Sequence, residues 1–371
     1  MASKNPYNTV AKHQECNIGM IHNLIERLRE KKTLTDAEFQ QILQTKEETS
    51  LHDLYKNARQ VCDLYYGKKI YARGLIEFTN YCRNNCYYCG IRRGNQKAER
   101  YRLSEDDILI SVKEGYALGF RTFVLQGGED VFYTKEKLGH IITQIKKFYP
   151  DSAVTLSFGE WDYDTYQYWF HCGADRYLLR HETADQIHYQ RLHPQEMKYV
   201  HRINCLEQLK QIGYQVGAGF MVGSPGQTIE ALVKDLRFLE KFQPHMIGIG
   251  PFIPQKDTPF AEKTSGTLSM TRKLLAILRL MFPKVLLPST TALGTIHPQG
   301  REMGILSGAN VVMPNLSPIQ VRGKYLLYND KVYSGCESAQ ARQELAEKMQ
   351  SLGYELCMER GDSKMQSCMS E

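Results

Sequence analysis

The sequence predicts an α/β protein built as a complete (β/α)8 barrel of the TIM type, on three observations. From residue 70 onward, short apolar or β-branched runs alternate with longer amphipathic ones. There are eight such short runs, and no Pro/Gly/Ser-rich linker interrupts them. Strands alternating with helices imply a parallel sheet, and eight repeats within residues 70–318 fit one closed barrel. An open doubly wound sheet is the runner-up.

The eight runs are ARGLIEFT (72–79), TFVLQGG (122–128), AVTLSF (153–158), RYLLR (176–180), QVGAGFMV (215–222), MIGIGPF (246–252), KVLLPST (284–290) and ANVVMP (309–314). Between them, SEDDILISVKEGYALG opens on a Ser cap and closes on Gly119. TIEALVKDLRFLEKF sets Ile229, Leu232, Val233 and Leu236 on one helical face. Ahead of the barrel, Leu24, Ile25 and Leu28 recur at helical spacing, and Thr35 with Glu38 has the form of a capping box. Residues 1–69 are therefore expected to form a helical lid or extension, 70–318 the barrel, and 319–371 a C-terminal segment with a short helix and a tail.

Composition narrows the function. Hydrophobic content of 42% and charged content of 24% are ordinary for a soluble globular chain of 371 residues. A net charge of +6 without a long basic block argues against a nucleic-acid partner. No apolar run is long enough for a membrane span, and MASKNPYNTVAKHQECN lacks a signal-peptide core. Ten cysteines without such a signal point to a reducing interior, hence a cytoplasmic protein.

Three of those cysteines stand together in EFTNYCRNNCYYCGIRRGN: Cys82, Cys86 and Cys89. They follow the first strand at once, on a βα loop, at the face where barrels carry their chemistry. Four thiolates normally cap an iron–sulfur cluster, and a structural zinc also takes four ligands. No second CxxC pair exists in the chain. Three cysteines would leave one iron open for a small molecule. Three reduced surface thiols, or zinc completed by a distant His, are the alternatives.

Other polar residues gather at the ends of later strands. Thr155 and Ser157 share a face of the third by the period-two rule. Arg180 and Glu182 end the fourth, and Arg202 follows on the next helix with a fork suited to a carboxylate. Met221 ends the fifth, GIGPFIP gives the sixth an apolar edge, and Thr290 and Thr291 end the seventh. LQGGED (125–130) ends the second, where glycines let a ligand approach the backbone. His193 and His297 precede prolines and read as loop residues without a role; Cys172 and Cys205 read as buried thiols.

CxxxCxxC with Tyr88 before the last cysteine resembles the signature of the radical S-adenosylmethionine (SAM) superfamily. That resemblance implies one 4Fe-4S cluster whose open iron chelates SAM, and release of a 5′-deoxyadenosyl radical on reduction. The blocks YRLSEDDI, LQGGED, SFGEW, GADRYLLRHETA, GAGFMVGSPGQT, GIGPFIPQKDTP, TTALGTI and GANVVMPNLSP follow in order. Together they resemble the FeFe-hydrogenase maturases of the HydE type, relatives of biotin synthase and methylornithine synthase, over about residues 20–335. The resemblance implies SAM contacts at Tyr88, Gly127, Gly128, Ser157, Glu182 and Arg202. It implies substrate-facing positions at Thr155, Arg180, Met221, Thr290, Thr291, Tyr325 and Tyr328.

The implied substrate is an organometallic iron complex bearing CO, cyanide and cysteine. A second radical SAM maturase would supply it, and an electron donor such as ferredoxin or flavodoxin would reduce the cluster. Some family members hold an accessory cluster with three more C-terminal cysteines. Here Cys336, Cys357 and Cys368 are too scattered for that motif, so no accessory cluster is expected. A radical SAM reaction on an amino acid or thioether, as in methylornithine synthase, is the nearest alternative; a non-catalytic iron–sulfur scaffold is the alternative of another class.

Overall fold

The computed structural model describes residues 6–332 and 339–365. Six parallel strands lie side by side in chain order: Gly74–Thr79, Thr122–Gly127, Ala153–Ser157, Arg176–Leu178, Gln215–Ala218 and Met246–Ile247. The seventh run makes parallel bridges from Leu286 to Met246 and from Pro288 to Val311. Val311–Val312 then pairs with Lys69–Ala72, the lower part of the first strand, and Asn315 bridges Leu75. The ladder thus runs from the sixth strand through the seventh and eighth back to the first. Pro288 lacks a backbone donor, which keeps the seventh strand to single bridges. A chain-order sheet leaves no switch point, so the doubly wound alternative fails.

The helices form where the sequence places them. Ser104 accepts from the Asp107 amide at 3.1 Å and the Asp107 carboxylate accepts from the Ser104 amide at 2.9 Å, opening the helix Glu105–Ala117. Gly119, at φ +100°, takes the left-handed conformation that ends it. The helix Ile229–Phe242 buries Leu232, Val233 and Leu236, and Ile229 packs at the edge of the same core.

The described N-terminal helices lie on the outside of the barrel. The helices Pro6–Lys31, Asp36–Gln44 and Glu48–Tyr66 pack against the outer helix Leu268–Met281, and none of their residues lines the main cavity. The Thr35–Glu38 capping box is present. Arg59 ties the extension to the link between the seventh and eighth strands by donating to the carbonyls of Ile305, in the helix Gly300–Leu306, and Ala309.

At the opposite end, the C-terminal region holds a strand as well as the expected helix. After the helix Ala339–Ser351, Glu355–Cys357 pairs in parallel with Lys69–Ala72. The chain then crosses the base of the barrel, where Asp362 meets Arg176 at 2.6 Å and Arg360 meets Asp175 at 2.6 Å. Three residues carry too little alternation to be read as a strand from sequence.

Candidate active site

A cavity of about 350 Å³ opens at the C-terminal ends of the strands. Cys82, Cys86 and Cys89 form one wall of it. Their loop, residues 80–101, contains no helix or strand, yet its ends meet where Thr79 bridges Arg102. Asn80 accepts from the Tyr101 amide and donates to the Glu99 and Lys324 carbonyls, while Asn95 donates to the Gly90 carbonyl. Burial pushes all three thiols up, Cys89 to about 12. The three residues are half-buried, and their protonated thiols are ready to exchange protons for a metal.

Among the described residues, no three His, Cys, Asp or Glu side chains converge tightly enough to hold a single ion. Three thiols on one loop suit a cluster in which each thiolate takes a different iron.

Gly128 explains the glycines of LQGGED. A Cβ there would lie 2.2 Å from the Tyr81 carbonyl oxygen and 2.7 Å from Cys82 Cβ. The glycine seats the cysteine loop against the second strand. Gly127 is nearly as tight, its Cβ position lying 2.8 Å from Thr79 Cγ2. Sequence reasoning assigned these glycines to ligand approach; packing of the metal loop is the additional requirement.

In the same cavity, Glu182 sits at φ +66°, a strained conformation for a residue with a side chain. Arg180 Nη2 approaches its Oε2 at 3.0 Å without hydrogen-bond alignment, and Arg180 Nε is buried with no partner. Arg202 reaches the cavity from the helix Tyr199–Ile212, but its Nε contacts Glu160 at 2.5 Å. Burial opposes its charge; Glu160 overrides that and holds the guanidinium well above its ordinary range. The expected fork is therefore partly engaged already. Glu129, of LQGGED, pairs with Arg83 at 3.0 Å and accepts from the Glu160 amide at 2.9 Å.

Every predicted SAM-side residue (Tyr88, Gly127, Gly128, Ser157, Glu182 and Arg202) lines this cavity. So do Arg180, Met221, Thr290, Thr291, Tyr325 and Tyr328 among the predicted substrate side. Thr155 does not. Its hydroxyl faces a separate cavity of about 10 Å³ deeper in the barrel, beside Arg73 and Arg176. The period-two rule gives the correct face but not the height, and two residues along a strand climb about 6.6 Å, a whole layer of the barrel.

His193 was missed. It is buried, stacks on Tyr189 with ring centroids 4.0 Å apart, and its Nε2 lies 3.1 Å from the Tyr88 hydroxyl. Its Nδ1 lies 3.0 Å from the Tyr189 carbonyl and so must donate, leaving Nε2 to accept from Tyr88. Burial lowers its pKa to about 3, so it stays neutral. Also missed is a buried network on the cavity wall: Lys331 meets Glu77 at 2.5 Å, and Asn315 donates to the other Glu77 oxygen at 2.8 Å. Cys205 is buried as expected, whereas Cys172 is only half-buried at a helix end. Cys357 lies on the basal strand; Cys336 and Cys368 lie outside the described residues.

Comparison with known proteins agrees with this geometry. Residues 76–239 match the model of the Radical SAM superfamily. The chain is 45% identical over 293 residues to the FeFe hydrogenase maturase subunit HydE of Thermotoga maritima, across 77% of this chain and 83% of that one. It is 31% identical over 288 residues to 3-methylornithine synthase of Methanosarcina acetivorans, across 77% and 81%. Among solved structures, methylornithine synthase superposes with a TM-score of 0.80 at 28% identity, covering 90% of this chain and 97% of that one. HydG, a maturase of the FeFe hydrogenase, gives 0.75 at 21% identity over 94% and 79%, a likeness of fold alone.

The barrel with its three-cysteine loop is that of a radical SAM enzyme, a class that implies a 4Fe-4S cluster and SAM. Within it, the chain belongs to the family of the hydrogenase maturase HydE. No described helix is long and apolar enough to cross a membrane.

Proposed function

We propose that this enzyme matures the FeFe-hydrogenase diiron subcluster by acting on an anionic Fe(CO)2(CN)-cysteine type complex held in the 350 Å³ cavity. The observation that carries the reading is that one cavity holds the three thiols together with unsatisfied donors: the Thr290 hydroxyl and Arg180 Nε are buried without partners. An orphaned cationic donor and a hydroxyl donor are what an anionic, cyanide-bearing guest would satisfy.

Cys82, Cys86 and Cys89 would hold the cluster, which when bound would supply the electron for reductive cleavage of SAM. Tyr88, with its hydroxyl fixed by His193, presents its ring beside the thiols. Gly127, Gly128 and Ser157 would offer backbone and hydroxyl groups to the SAM amino acid, and Glu182 and Arg202 would offer it opposite charges. Met221, packed with Leu192 and Phe252, provides an apolar wall that excludes water. Arg180, Thr290, Thr291, Tyr325 and Tyr328 orient the substrate. Thr155 supports the floor from the layer below.

The carboxylates that line the cavity are each matched by a cation, Glu77 by Lys331, Glu182 by Arg180 and Glu129 by Arg83. Glu77 and Glu129 are hydrogen-bonded by their cations, which leaves Glu182 Oε2 as the one buried carboxylate oxygen of the three without a hydrogen bond, and the reading assigns it to SAM. The protein is expected in the cytoplasm, with a single cluster, reduced by a ferredoxin or flavodoxin, and in transient contact with other hydrogenase maturases. Incubating reduced, cluster-loaded enzyme and SAM with the iron–cysteine complex or with lysine separates the readings. Consumption of the complex supports the maturase; turnover of lysine alone would refute it.

A further inference from the structure

The cysteine loop carries six Arg or Lys residues between Tyr81 and Arg102. Four have carboxylate partners: Arg83 with Glu129, Arg93 with Glu196, Lys97 with Asp257 and Arg102 with Asp130. Among the described residues, Arg92 and Arg100 have none; Arg92 makes one long contact, 3.3 Å to the Asn85 carbonyl, whereas Arg100 is fully engaged with backbone. Its Nη1 donates to the carbonyls of Asn80 at 2.5 Å and Ile91 at 2.8 Å, and its Nη2 to those of Arg92 at 2.7 Å and Asn95 at 3.1 Å. One guanidinium thus ties the chain two residues before Cys82 to the chain just after Cys89.

The guanidinium lies 5.9 Å from the Tyr81 ring centroid, and among the described residues no carboxylate pairs with it; Cys82 and Cys89 are the groups whose ionised forms would interact with it most. A half-buried cation without a counter-carboxylate is costly to keep. Here its charge is directed at two of the three presumed cluster ligands.

We propose that Arg100 is the positioning residue of the cluster loop, an inference that rests on the cluster reading above. Its four hydrogen bonds hold the cysteines in a receptive arrangement before metal arrives. Its unneutralised charge lies beside the loaded site and favours the more negative, reduced cluster. A planar fork of five donors can span four carbonyls; an ammonium with three donors cannot.

The test uses the full chain, reconstituted anaerobically as parent, Arg100→Gln and Arg100→Lys. The readouts are the cluster midpoint potential, followed by EPR without SAM, and the rate at which a chelator strips iron. Arg100→Gln should shift the potential to more negative values and lose iron several-fold faster. Arg100→Lys should recover most of the potential but not the resistance to chelator. A Gln variant with the parent's potential and iron-loss rate would overturn the proposal. If Arg100→Gln takes up no cluster, Arg100→Ala with millimolar guanidinium chloride should regain cluster uptake that potassium chloride does not restore. Equal uptake with either salt would overturn it too. A parent protein that takes up no cluster would sink the underlying cluster reading instead.

Discussion

A methyl group on Gly128 would lie 2.2 Å from a backbone oxygen and 2.7 Å from Cys82 Cβ, and neither backbone can retreat without moving the cysteine loop. Gly128→Ala should therefore lower iron uptake on reconstitution well below the parent's, while far-UV circular dichroism stays unchanged. His193 gives a second prediction. Replacing it with Phe leaves the buried Tyr88 hydroxyl without its acceptor, at a cost of about 1–3 kcal/mol in denaturant unfolding. The same variant isolates a pH effect. Native His193 stays neutral down to about pH 3, whereas the unfolded chain protonates it near its ordinary value of about 6.5. The unfolded state then binds the extra proton, so this group's contribution is full above about pH 6.5 and is lost as pH falls toward 3. The parent's stability should drop by about 1.4 kcal/mol per pH unit more than that of His193→Phe across that window. The three cysteines and Tyr88 were legible because their spacing is local. His193 was not, since its partner lies 105 residues away and a histidine before proline looks like a loop.

Elements reveal their period more readily than their depth or their partners. The capping boxes at Thr35 and Ser104 appear as predicted, because a cap is decided by residues three apart. Thr155 lies on the right face and in the wrong layer. The basal strand Glu355–Cys357 was invisible, since its register comes from Lys69–Ala72, almost 300 residues upstream. That strand leads into the Asp362–Arg176 contact, in which the Arg176 side chain is only 4% exposed. Asp362→Ala would leave that guanidinium with the Arg360 carbonyl and the Thr122 hydroxyl as acceptors. The expected loss is roughly 2 kcal/mol, below the figure for a fully buried pair because Asp362 itself is partly exposed. Thermal unfolding of the variant checks this, and an unchanged midpoint would show that the basal strap contributes no stability.

At the scale of the whole molecule, eight parallel runs in chain order bring residues from distant parts of the sequence to one mouth. Tyr88 from the first βα loop, Glu182 from the fourth strand's end, Thr290 from the seventh and Tyr328 from beyond the eighth meet across a single cavity. That convergence follows from the barrel rule once the strands are counted. The Glu77–Lys331 pair on the wall does not, because Lys331 lies in a C-terminal stretch with no periodic signal. With one cluster site, anaerobic reconstitution should yield about four irons per chain, and about eight would reveal a second cluster. The most direct measurement incubates reduced, cluster-loaded protein with SAM and quantifies 5′-deoxyadenosine. The account predicts its formation in the parent and its loss in Cys86→Ala. A fully loaded cluster that leaves SAM intact under reducing conditions would contradict it.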